Sequence, residues 1–538
     1  MPHFYTLSGP APMKQDQPHN TGTEIQANEA GVSRRSFMQI AGVGLAASAA
    51  AYAGGCSGKP IGGGGWMPEQ YEGTGNFPVQ LRGRVPIDPQ NVSIMRNDSK
   101  CILCGQCAEV CNRAEAIMGH YELPLIDDIP CIGCGQCTLW CPTGAITERD
   151  DTLAFLKALD DPDLHVVVQT APSTRVALGE EFGMIPGTNV EGKQVAALKA
   201  LGCNQVFDTN FSADLTIVEE ATELVKRIKG ELNAPIPMFT SCCPGWIKFC
   251  EYFYPEFLPN LSTALSPMSM LSPLVKTYYA GKNNLDPSKI FSVAIMPCTA
   301  KKFEASRPEM NNAGANKLGD PSMRDTDLVL TTRELAKALK IRGINLPALE
   351  DAPYDKLMSE YSGAGAIFGA TGGVMEAAVR TAYHYITGEK EIPALLYELE
   401  PIRGLTGIKS AKLDVPGVGE VRVGVVSGMA NAKKVLEQIK SGAESWHFIE
   451  FMACPGGCIS GGGQPKTSLP PSDYVRKDRT NAIYSIDERM TLRLSHENQE
   501  IKTLYENYID QDPNEHLAHK LLHTSGYTDR SMNLTAKK

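Results

Sequence analysis

From about residue 150 onward, short apolar runs alternate with stretches of helical period, the pattern of an α/β domain. Four of the runs read as buried strands: residues 164–169, 235–239, 291–295 and 447–451. Each stops at a distinctive loop. These are Thr170-Ala171-Pro172-Ser173, Thr240-Ser241-Cys242-Cys243-Pro244-Gly245-Trp246, Met296-Pro297-Cys298-Thr299-Ala300-Lys301-Lys302, and Met452-Ala453-Cys454-Pro455-Gly456-Gly457-Cys458. Ligands of open α/β sheets sit at the carboxyl ends of strands, so four such loops can converge on one site. Prolines directly after cysteines suit first helical positions, and helix N-termini favour anionic groups.

The termini follow other patterns. Residues 40–53 form the longest nearly apolar run, 14 residues, too short to cross a bilayer comfortably. Ser33-Arg34-Arg35-Ser36-Phe37-Met38 precedes it and the small-x-small triplet Ala51-Tyr52-Ala53 ends it, the layout of a twin-arginine export signal. Cys56 lacks the preceding Leu of a lipoprotein site, so a lipid anchor is the weaker reading. Nine glycines between positions 54 and 78 mark a linker. Within the α/β part, Glu220, Glu223 and Arg227 are spaced i, i+3 and i+7 and share one helix face. Taken alone, such a row reads as a solvated face. From Arg493 the chain reads as two short helices with a turn at Asp512-Pro513.

A length of 538 residues argues for about three or four domains. A net charge of -10 with no Lys/Arg block speaks against a nucleic-acid partner. The 16 cysteines change the picture, because eight of them lie between positions 101 and 141. A chain that can build several cores needs no disulfide scaffold, so thiolate–metal ligation is the better reading. Cys101-Ile-Leu-Cys104-Gly-Gln-Cys107-x3-Cys111 recurs as Cys131-Ile-Gly-Cys134-Gly-Gln-Cys137-x3-Cys141-Pro142, and this duplication resembles the bacterial two-cluster ferredoxins. The family's crossed pairing implies Cys101, Cys104, Cys107 and Cys141 for one [4Fe-4S] cluster, and Cys131, Cys134, Cys137 and Cys111 for the other. Zinc is the weaker alternative. Cys203 and Cys250 have no partners at metal spacing and read as buried core thiols. Gly369-Ala-Thr-Gly372-Gly373 admits a nucleotide-binding reading, which is the lesser one.

The motifs TSCCPGW, MPCTAKKFE and MACPGGCISGGGQP, in this order, resemble the three signatures of the [FeFe]-hydrogenases. With the ferredoxin segment the likeness covers roughly residues 95 to 470. It implies an α/β catalytic domain of two lobes with the active-centre cluster between them. A ferredoxin-like α+β domain precedes it and a short helical tail follows. It also implies reversible oxidation of H2 to protons and electrons at an H-cluster, a [4Fe-4S] cubane joined to a diiron unit with CO, cyanide and a bridging dithiolate amine. The family's ligands fall on Cys243, Cys298, Cys454 and Cys458, with Cys458 bridging. Lys301 and the Ala171, Pro172, Ser173 loop match contacts to the two cyanides, and Met452 matches a thioether beside the bridging carbonyl. Cys242, Glu220, Ser262, Glu223 and Arg227 match the proton relay. Met268 stands where relatives commonly carry glutamine. Leu521-Leu522-His523-Thr524 resembles the small subunit of the periplasmic enzymes, with His519 and His523 read as packing and hydrogen-bonding residues.

The expected organisation is a signal segment at 1–55, a linker at 56–90, a two-cluster domain at 91–150, a catalytic domain at 160–470 and a small-subunit-like tail at 480–538. Expected partners are a soluble electron carrier (a c-type cytochrome or a ferredoxin), the twin-arginine translocase and maturation proteins. The expected location is the periplasm. Two rivals carry different functions: a non-catalytic iron–sulfur protein of the assembly or prelamin-binding type, and a sensory hydrogenase.

Overall fold

The computed structural model describes residues 84–117, 129–512 and 514–531. The twin-arginine segment, Cys56, the glycine-rich linker and Pro513 lie outside the described residues. Val166, Val167 and Val168 are all buried, as a strand covered on both faces requires, and they form the middle of β3 (His165–Thr170). With β4 (Gln205–Asp208), β6 (Ile290–Met296) and β7 (Leu328–Thr331) it makes a wholly parallel sheet in the order β4-β3-β6-β7. A second sheet runs β5-β10-β9-β8, from β5 (Met238–Phe239), β10 (Phe448–Met452), β9 (Gly419–Ser427) and β8 (Ile408–Val415). Its first three strands are parallel and β8 closes the edge antiparallel to β9.

The strand expected over 235–239 shrinks to Met238 and Phe239. Pro235 and Pro237 carry no N–H, so they cannot donate to a ladder. The helix Thr209–Ile228 departs from what its charge spacing taken alone suggests. It packs against the helices Pro267–Leu274 and Gly373–Thr387, which buries Glu220, Glu223 and Arg227 instead of leaving them solvated.

Two short strands, β1 (Ile94–Arg96) and β2 (Ile146–Glu148), pair antiparallel and bracket the duplicated cysteine runs. Each run leads into a short helix, Gln106–Arg113 or Gln136–Trp140, through a left-handed glycine, Gly105 or Gly135. Cys203 and Cys250 are buried within apolar clusters. In the tail, helices Gln499–Leu504 and Leu517–Leu522 follow a longer helix, Asp473–Arg489. Leu521 and Leu522 pack with Phe211, Leu265 and Leu271. The backbone then pairs with the 263–265 segment, through Leu265 N–H to Leu522 O (2.9 Å) and Thr524 N–H to Thr263 O (2.8 Å). Among the described residues no helix is long and apolar enough to cross a membrane.

Candidate active site

The four distinctive loops leave the carboxyl ends of β3, β5, β6 and β10, two from each large sheet, and all four wall a single cavity. Ala171, Pro172 and Ser173 line it, as do Cys242, Cys243, Cys298, Lys301, Met452, Cys454 and Cys458. Met268, Met296 and Phe368 add apolar wall. Pro244 opens the helix Pro244–Phe253, as its place after Cys243 suggested. Pro455 does not open a helix; it enters a turn with Gly456 and Gly457, both in the left-handed region. At Gly457 a Cβ would lie 2.6 Å from Thr371 N and 3.0 Å from Met452 Sδ, so only glycine lets this loop pass beneath the cavity. The Gly369–Gly373 turn thus packs directly against the Gly457 loop, next to Phe368 of the cavity wall.

Burial pushes the thiols of Cys243, Cys298, Cys454 and Cys458 above their ordinary range, Cys298 to about 12. Left bare, they keep their protons; a soft, positively charged metal group is what makes four thiolates stable here. The void is also far larger than one ion needs. The donor set and the space together fit a polynuclear iron–sulfur group.

Lys301 reaches the rim with Nζ ion-paired to Glu304 Oε2 (2.6 Å) and donating to Ser266 Oγ (2.7 Å) and the Cys242 carbonyl (3.2 Å). Burial works against its charge, but Glu304 and the nearby thiols more than offset that and hold its pKa above the usual lysine value. Ser266 and Ser269 both donate to Glu304 Oε1, at 2.5 and 2.7 Å. Sequence reading missed Glu304 and Ser266; the i, i+3 spacing of Lys301 and Glu304 was the available signal. Ser173 Oγ is buried with no protein partner, and so is free to donate to a bound group. Met268 packs with Ala171 and Met296, while Gln169 donates to Ser272 Oγ (2.9 Å) and to the Met268 carbonyl (3.2 Å).

Behind Cys242 lie the buried acids. Glu220 is wholly buried, and neither of its oxygens makes a well-formed hydrogen bond, although the Ser241 backbone and the Ser262 side chain stand close enough to favour its charge. Burial and the neighbouring Glu223 raise its pKa to about 8. Burial, then Glu220, likewise pushes the Cys242 thiol up. Ser262 Oγ donates to Glu223 Oε2 at 2.8 Å, and Arg227 holds Glu223 Oε1 through Nε (3.0 Å) and Nη2 (2.5 Å).

In the cysteine-repeat segment, Cys101, Cys104, Cys107 and Cys141 line one cavity, and Cys111, Cys131, Cys134 and Cys137 line another. The second set sits against the active-site loops: a Cβ on Gly462 would lie 2.3 Å from the Cys134 carbonyl oxygen. In the first set Cys104 is exposed.

Residues 164–462 match the C-terminal domain of the iron-only hydrogenase large subunit, and residues 473–530 match the iron hydrogenase small subunit. Iron hydrogenase 1 of Clostridium pasteurianum is 43% identical over 454 residues, 81% of this chain and 76% of that protein. The periplasmic [Fe] hydrogenase large subunit of Nitratidesulfovibrio vulgaris is 45% identical over 403 residues, 73% of this chain and 90% of that protein. A variant of the [FeFe]-hydrogenase HydA1 from Chlamydomonas reinhardtii superposes with a TM-score of 0.61 at 40% identity, covering 71% of this chain and 99% of that one. The large-subunit match alone spans more than half of the chain and contains all four loops around the cavity, and on that ground this chain belongs to the iron-only hydrogenases, the iron–sulfur oxidoreductases that interconvert dihydrogen with protons and electrons.

Proposed function

We propose that this chain is an exported [FeFe]-hydrogenase of the periplasm that holds an H-cluster on Cys243, Cys298, Cys454 and Cys458. The observation that carries the reading is the convergence of these four thiols, Lys301 and Ser173 on one cavity from four separate strand ends. When bound, the H-cluster supplies the redox-active irons and the basic amine at which H2 is split or formed. The chain's own residues orient it and move protons. Lys301, kept charged by Glu304, offers a charge-assisted donor to an anionic ligand such as cyanide, and Ser173 Oγ and the Ala171-Pro172 backbone face the same space. Apolar Met268, Met296, Phe368 and Met452 exclude water.

Cys242 is the first proton-carrying group of the protein. Its thiol and the Glu220 carboxyl both hold protons near neutral pH, so each stands ready as a donor that passes its proton on as it receives another. Ser262 then links to Glu223. Arg227 serves this line by charge, because a guanidinium does not lose its proton in the working range. Electrons travel by the two cysteine sets, each holding a [4Fe-4S] cluster. The set with Cys134 stands next to the active-site loops. The set with exposed Cys104 meets a soluble carrier, a c-type cytochrome or a ferredoxin.

The twin-arginine segment and a relative named as periplasmic support export in the folded state. Residues 473–530 supply on the same chain the strap that matches the small subunit. Infrared spectroscopy of the matured protein tests the reading. Bands of metal-bound CO and cyanide are expected. Their absence after full maturation overturns it and favours the iron–sulfur assembly type.

A further inference from the structure

We propose that His523 in the C-terminal tail carries protons between Glu223 and the surface, so that the strap completes the proton route; this rests on the hydrogenase reading above. Glu223 is the outermost buried acid, and its surroundings decide where a proton goes next. On one side stands Arg227, whose side chain is 1% exposed and whose guanidinium also donates to the carbonyls of Pro235, Pro259, Asn260 and Leu261. A group that neither accepts nor releases a proton closes that side.

The other side is open to exchange. Glu223 Oε2 accepts from Thr263 Oγ1 at 3.2 Å, and the same hydroxyl lies 2.9 Å from His523 Nδ1. His523 Nε2 lies 2.9 Å from Glu219 Oε2. Tyr505 donates its hydroxyl to the other oxygen of Glu219. The side chains of His523 and Glu219 keep 10% and 14% of their surface in contact with solvent, and the ring of exposed His519 stands 5.3 Å from that of His523. A continuous string of hydrogen bonds therefore leads from the buried acid to water.

An imidazole suits this place, since it takes a proton on one nitrogen and gives one from the other. With Glu223 protonated, its O–H passes to Thr263 Oγ1, the Thr263 O–H passes to Nδ1, and the Nε2–H passes to the Glu219 carboxylate. One O–H bond is lost at Glu223 and one is formed at Glu219, with no change in electrons. Rotation of the hydroxyl and a flip of the ring reset the string, and the reverse sequence brings protons in. Glu219 and Glu223 belong to the helix Thr209–Ile228, Thr263 to the segment after Ser262, and Tyr505 and His519 to the tail.

A latch that merely pins the tail predicts a different outcome, and the backbone pairing at 263–265 holds the tail without the imidazole. The test uses the matured full chain with an artificial dye. H523Q can bridge Thr263 and Glu219 but cannot relay a proton, whereas H523A leaves a gap. Both variants are expected to keep the CO and cyanide bands, to turn over about tenfold or more slowly, and to show a larger solvent deuterium isotope effect. Imidazole in solution is expected to restore the rate of H523A in proportion to its concentration. A wild-type rate and isotope effect in H523Q, or no rescue of H523A, overturns the proposal. A wild-type chain without turnover or infrared bands would instead remove the reading on which it rests.

Discussion

The cysteine-repeat segment and the strand-end cavity each gather cysteines in fours, but by opposite means. In the repeat, three thiols of each set come from seven consecutive residues, and only Cys111 and Cys141 cross over. In the cavity, Cys243 and Cys298 arrive from different sheets and meet a pair, Cys454 and Cys458, from a third loop. The first arrangement is local and leaves Cys104 exposed. The second is enclosed, so that burial raises every thiol and one lysine–glutamate pair can set the local charge. Local ligand loops suit a conduit. A chamber that must bury its ligands and shut out water needs the whole fold.

The sharpest way to break this contrast is to remove one thiol from each region. In Cys298→Ala, turnover should fall to background and the CO and cyanide bands should vanish. In Cys104→Ala, those bands and dye-linked turnover should persist while electron delivery to a protein carrier is lost. Equal damage by both assays would mean that the two regions do not divide the labour this way.

A smaller effect tests the enclosed region alone. Cys242→Ser should keep its iron content and infrared bands yet lose about a hundredfold in turnover, because a hydroxyl holds its proton far more tightly than a thiol. A serine variant at full speed would show that protons leave by another route.

The smallest effect is one of stability. The Glu220 carboxyl has a pKa of about 8 in the fold against an ordinary 4.5, so between those values the folded chain binds a proton that the unfolded chain has already released. Stability contributed by this group therefore falls as pH rises from about 4.5 to about 8. Glu220→Gln should flatten that part of the melting-temperature profile measured without oxygen. A profile identical to wild type would mean that the carboxyl titrates at its ordinary value.

Much of this was legible from residue order. The doubled C-x2-C-x2-C run announces metal because three thiols so close in sequence reach one small volume in almost any fold that keeps the loop. The apolar runs that end at Cys243, Cys298 and Cys454 marked strand ends, and proline at 244 marked a helix start. The same logic overreached at 235–239, where prolines erase most of a strand, and at Pro455, where the space beneath the cavity dictates a turn.

Sequence alone determined which chemistry the chain carries, through donors grouped at short spacing and motifs with a fixed order. Only the tertiary structure decided which charged residues are dry. Glu220, Glu223 and Arg227 occupy one helix face in any reading, but the helices packed over that face turn it from a solvated row into a buried one. In the link from Glu223 to His523, the step from Thr263 to His523 joins positions 260 residues apart. Side chains so distant along the chain leave no periodic trace, because nothing in their local sequence sets the distance between them; the packing of the tail against the 263–265 segment does.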